Sequence, residues 1–109
     1  MNPGEVIWID FPGVVQTKRR PAVILSSASY HSTRPDVIVG LITSQTNKAS
    51  TPTDHVLQDW QSAGLRVPSA FRAFLVTLPQ SSIVSTMGTL SPADWTQVAS
   101  RVKLAMDLT

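Results

Sequence analysis

The chain has 109 residues, 42% of them hydrophobic and only 15% charged, which gives it enough apolar side chains for one core and excludes a disordered polyelectrolyte. A net charge of +2 argues against a broadly basic nucleic-acid binder, and the lack of cysteine excludes a disulfide framework or a thiolate zinc site. The apolar runs are far too short to span a membrane, and Met1-Asn2-Pro3-Gly4-Glu5 is not a basic start followed by an apolar stretch, so neither a span nor a signal peptide is expected. The expectation is a single soluble, cytoplasmic domain covering 1–109, with little charged surface to spare, which fits an oligomer.

In chain order, Val6 to Phe11 is rich in β-branched and aromatic residues and stops at the turn signal Pro12-Gly13. A loop from Pro12 to Arg19 is expected, then a strand from Pro21 to Ser27 and a polar, turn-prone loop from Ala28 to Asp36. Val37 to Thr43 is continuously apolar and reads as a central strand, with Gly40 hinting at a bulge or a close backbone approach. Ser44 to Thr53 is a second long loop, His55 to Leu57 a weak strand signal, and Trp60 to Pro68 irregular. Two further strands are expected over Ala70–Leu78 and Ser82–Met87.

The last element is a helix. Ser91 is a good N-cap, Pro92 suits the first helical position, Asp94 stands where a capping-box acid would, and Leu90 and Trp95 occupy the hydrophobic-staple positions. Trp95, Val98, Val102, Ala105 and Met106 recur at helical spacing and predict one stripe facing the core. The fold expected is mainly β with minor α: a small, mostly antiparallel barrel or curled sheet closed by a C-terminal helix.

Few ionisable residues remain from which to build a site. No P-loop, glycine-rich dinucleotide turn, zincin motif or nucleophile elbow occurs. His31 and His55 are scattered, which argues against a metal centre, and a triad of His31, Asp36 and a serine exists only on paper. Glu5 is the sole glutamate, so a paired-carboxylate hydrolase would have to recruit Asp10 or Asp54. The concentrated feature is Lys18-Arg19-Arg20, three of the nine cations, directly before Pro21. Proline fixes its own φ and biases Arg20 towards an extended backbone, so this guanidinium enters the strand in a defined direction. It is a permanently charged fork for phosphate or carboxylate. Thr43-Ser44-Gln45 ends the central strand with three hydrogen-bonding side chains. If the second and third strands are neighbours, Arg20 and Thr43 face one pocket suited to a phosphodiester.

Arg20 to Ser26, followed by Val39 to Gln45, resembles the MazF/PemK/Kid family of type II toxin–antitoxin endoribonucleases. The opening Gly4 to Phe11, the pairs Gly64-Leu65 and Pro68-Ser69, and Gly88-Thr89-Leu90-Ser91 before the helix extend the likeness in order along nearly the whole chain. The resemblance implies an SH3-like barrel, a homodimer, a cognate antitoxin and no cofactor. It implies that Arg20 is the main catalytic residue and that Thr43 supports the scissile phosphate of a single-stranded RNA. Gln16, Lys18, Arg19, Ser44 and Gln45 are then expected along the substrate path. Cleavage would proceed without metal through a 2′,3′-cyclic phosphate. The chain departs from the family pattern in two places. The Pro12–Arg19 loop lacks the acid often found there, and Arg72 is followed by Ala73 and Phe74 instead of completing an Arg-x-Asp pair. Toxins of the CcdB type, which bind DNA gyrase and cut no RNA, resemble the same fold, as would a barrel that only binds antitoxin. The arginine–proline step and the Ile42-Thr43 strand end favour the nuclease.

Overall fold

Val6, Ile7 and Ile9 are buried from both faces of the first strand, and five more strands assemble beside it in the computed structural model, which describes residues 1–11, 16 and 18–108. The strands are β1 (Glu5–Phe11), β2 (Lys18–Ile24), β3 (Asp36–Thr43), β4 (His55–Val56), β5 (Ala70–Pro79) and β6 (Ile83–Thr89). Helix α1 is Ala28–Thr33 and helix α2 is Pro92–Met106. All pairings are antiparallel, in the order β4-β5-β3-β2-β1-β6. The sheet is curled like a barrel but not closed, since its two outer strands are not paired with each other.

The curl gives the sheet two cores. On one face α2 and the 57–69 segment cover Val6, Val23, Ile42 and Phe71, with Leu57, Leu65, Leu90 and Val98 completing the layer. On the inner face Ile7, Ile9, Ala22, Ile24, Val37, Val39 and Leu78 pack on one another. Full burial of each large side chain stabilises the fold by about 1.5–3 kcal/mol. Gly40 serves both purposes its position suggests. The pairing of β3 with β5 shifts register between Gly40 and Ile42, and a Cβ on Gly40 would overlap the ring of the buried Phe71.

Several boundaries differ from expectation for local reasons. The strand expected to begin at Pro21 begins at Lys18, because Lys18, Arg19 and Arg20 pair with Phe11, Asp10 and Ile9. The cations therefore stand on a strand and not on a loop. Residues Pro12–Val15 and Thr17, the rest of that loop, lie outside the described residues. The same strand ends early, at Ile24. Beyond it the Ser26 hydroxyl accepts from the Ile38 amide (3.0 Å) in place of a backbone partner. Within 28–36, expected to be a loop, Ser27 caps a short helix by accepting from the Tyr30 amide (3.2 Å). In α2, Ser91 caps as expected, accepting from the Asp94 amide (3.2 Å). The Asp94 carboxylate does not close a capping box; it points into the protein. The stripe holds as far as Val102 and fails in the last turn: Val98 is buried and Trp95 and Val102 half-buried, whereas Ala105 and Met106 are exposed.

Candidate functional site

Pairing register decides which side chains share the inner face of the sheet. Ala22 pairs with Leu41 and Val23 with Gly40, and continuing that register by one further pair on the same face brings Arg20 across from Thr43. Phe11 shares this face by its parity with Ile9, Arg20's partner on β1, and Arg72 and Phe74 share it by their parity with Ala70, which pairs with Thr43. These five residues converge on an open groove of about 470 Å³, whose walls also include Leu41, Ile42, Ser44 and Gln45.

The electrostatics of the groove are simple. Arg20 is exposed and makes no ion pair among the described residues, while no acid lines the groove. Thr43 accepts a hydrogen bond from the Gln45 amide (3.1 Å), which orients its hydroxyl and leaves the O–H free to donate. A bare guanidinium opposite an oriented hydroxyl is an anion-binding arrangement, suited to two oxygens of one phosphate.

The structure thus places Arg20, Thr43, Ser44 and Gln45 together. It does not bring all three neighbouring cations to the groove. Arg19 points to the opposite face, where its Nε lies 3.3 Å from Asp10 Oδ1. Lys18 shares Arg20's face, and neither it nor the exposed Gln16 is among the described groove walls.

Arg72 is the groove residue that sequence reasoning passed over, because no aspartate follows it. The signal was nonetheless present: in Phe71-Arg72-Ala73-Phe74, one aromatic is buried and the alternate positions face water. A carboxylate does meet Arg72, but from another segment. Asp54 Oδ1 lies 3.9 Å from Arg72 Nε, while Asp54 Oδ2 accepts from the Thr51 amide (3.1 Å) and hydroxyl (2.9 Å). The buried Asp54 steadies the base of the arginine and leaves much of its head group in solvent.

The histidines lie elsewhere. His31 bonds the Ser26 hydroxyl and the Met1 carbonyl, while Asp36 pairs with Arg34 at 2.9 Å, so these residues form no triad. His55 Nε2 lies 2.9 Å from Asp94 Oδ1, and the amides of Gln58 (3.0 Å) and Asp59 (2.8 Å) also donate to that carboxylate. Burial opposes the ionisation of Asp94, but the bonds from Gln58, His55 and Asp59 outweigh it and hold the carboxyl below its usual range.

Residues 2–106 match the model of the PemK-like, MazF-like toxins of type II toxin–antitoxin systems. The chain belongs to this family. No curated protein matches it closely enough to count as a relative. Among solved structures, an endoribonuclease in complex with its cognate antitoxin, from a mycobacterial species, superposes with a TM-score of 0.83 at 18% identity, covering 100% of this chain and 97% of that one. A MazE–MazF complex from Deinococcus radiodurans gives 0.80 at 16% identity, covering 100% and 98%. The Mycobacterium tuberculosis toxin MazF-mt6 gives 0.74 at 22% identity, covering 99% of each chain. At these identities the likeness establishes the fold. In this PemK-like, MazF-like toxin the arginine–proline step and the Ile42-Thr43 strand end meet across one groove. No helix among the described residues is long and apolar enough to cross a membrane.

Proposed function

We propose that this toxin is an endoribonuclease that cleaves single-stranded RNA at selected sequences, with Arg20 and Thr43 at the scissile phosphate. The observation that carries this reading is the proline-oriented Arg20, unpaired among the described residues, in one groove with the free hydroxyl of Thr43, where no acid stands among the described walls. The structural relatives described as endoribonucleases support the same reaction class.

In the proposed reaction the ribose 2′-oxygen attacks the adjacent phosphorus as its proton passes to solvent. The bond from phosphorus to the 5′-oxygen breaks, and that oxygen takes up a proton. The products are a 2′,3′-cyclic phosphate and a 5′-hydroxyl end. Arg20 stabilises the charge gathered on the non-bridging oxygens and Thr43 donates to one of them, a preorganised electrostatic contribution. Arg72 supplies a second cation, held by Asp54, and Ser44 and Gln45 offer hydrogen bonds to the flanking nucleotide. Single-stranded RNA suits the groove because its bases splay outward and its own 2′-hydroxyl is the nucleophile. The reaction needs no metal ion.

A cognate antitoxin would neutralise the groove by laying an acidic segment across the arginines, and the active unit is a homodimer. Purified toxin mixed with heterogeneous RNA in excess chelator tests the reading. Cyclic-phosphate and 5′-hydroxyl ends support it. Intact RNA, or inhibition of gyrase without cleavage, would overturn it.

A further inference from the structure

Phe74 presents a problem of its own. It lies inside a ten-residue strand yet is 56% exposed. β5 and β1 are separated by two strands, a span of about 14 Å in a flat sheet. The rings of Phe74 and Phe11 nonetheless stand 6.4 Å apart, edge to face at 70°. The curl of the sheet has brought two aromatics from distant strands to one wall of the groove that holds Arg20 and Arg72. Phe11 braces the Phe74 ring, and more than half of Phe74 stays exposed.

An exposed phenylalanine in a groove that also holds two arginines calls for an occupant that offers both a flat apolar face and negative charge. Groove charge complementarity selects such a partner: among the described residues two arginines line it, and no acid does. A nucleotide meets both demands, with phosphate on the guanidinium groups and the base on the ring.

We propose that Phe74, braced by Phe11, is a stacking platform for the unpaired base next to the scissile phosphate, and so a specificity-determining residue of the toxin. This rests on the endoribonuclease reading above. A base stacked there also holds its ribose and phosphate in register with Arg20 and Thr43. Stacking tolerates any base but strengthens with ring size, so a preference at this nucleotide follows from ring area and from polar contacts at Ser44 and Gln45.

The test uses intact toxin and non-cleavable 2′-O-methyl RNA oligomers, read by fluorescence anisotropy. A paired oligomer lacks one base at the nucleotide adjoining the cleavage position, mapped by sequencing the ends of a cleaved random pool. Phe74→Ala should weaken binding of the base-bearing oligomer roughly tenfold or more, while Phe74→Trp restores it. Both variants should bind the abasic oligomer as wild type does, and cleavage by Phe74→Ala should lose its preference at that nucleotide. Equal binding of the base-bearing oligomer by wild type and Phe74→Ala overturns the platform while leaving the nuclease reading intact. So does an equal loss on both oligomers. Unchanged RNA binding with loss of antitoxin binding, or with a shift to monomer in sedimentation, assigns the ring to a protein contact and also overturns it. A wild-type toxin that binds no oligomer removes the RNA reading and the platform together.

Discussion

Asp94 and Arg20 mark two regions that treat charge in opposite ways. Asp94 is fully buried, and its carboxylate takes bonds from His55, Gln58 and Asp59 that tie the start of α2 to the segment after β4. Arg20 stands exposed beside a free hydroxyl with no acid to pair it among the described residues. A satisfied buried charge acts on stability, because every bond it makes is already made in the free protein. A charge left without a partner keeps its capacity for a ligand. The same contrast holds between neighbours, since Arg19 has Asp10 and Arg20 has none.

The contrast breaks first at Arg20. Arg20→Ala should lower RNA cleavage by a factor on the order of 10²–10⁴, while its thermal unfolding stays within about 0.5 kcal/mol of wild type. Cleavage at the wild-type rate would remove Arg20 from the chemistry. Asp94→Ala should do the reverse. It leaves the amides of Gln58 and Asp59, and His55, without their acceptor, and urea unfolding should show a loss of about 3 kcal/mol. Cleavage per folded molecule should hold steady; a large fall in that quantity would mean that the two regions are coupled.

Acid sharpens the same comparison. The folded state holds the Asp94 carboxyl below its ordinary range, so the unfolded chain binds that proton more readily. The stability it contributes is complete above about pH 4 and is lost as pH falls through the lower, folded value. In urea titrations the gap between wild type and Asp94→Asn should therefore narrow below about pH 4, and a gap that widens there contradicts the assignment. The smallest effect separates the neighbouring cations. Lys18→Ala should flatten the log–log salt dependence of RNA binding by about 0.7. Arg19→Ala should change it less, because Asp10 already partners that guanidinium. Equal slopes for the two variants would show that the pair opens when RNA binds.

Much of the fold was legible because local signals agreed. Six apolar strand segments, the Ser91-Pro92 start of α2 and the permissive Gly40 each express a short-range constraint that survives in the structure. The boundaries that moved did so through contacts made at a distance. Phe11 and Asp10 drew Lys18 and Arg19 into β2, and Ile38 engaged Ser26 beyond the end of that strand. Asp94 has the spacing of a capping acid, and only the 55–59 segment, some 35 to 39 residues away, diverts it.

The sequence by itself determined a small β-rich chain with a terminal helix, and an arginine aimed by the proline after it, since a fixed φ and an apolar periodicity act within a few residues. The tertiary structure alone decided which side chains share the groove. Register put Arg20 and Thr43 on one face, where they line the same groove, and the curl of the sheet carried Phe11 towards Phe74. Asp54 reached Arg72 across the gap between segments, supplying the carboxylate that the residues after Arg72 lack. Those meetings depend on how strands pair and bend, and nothing within a few residues of any of them encodes that.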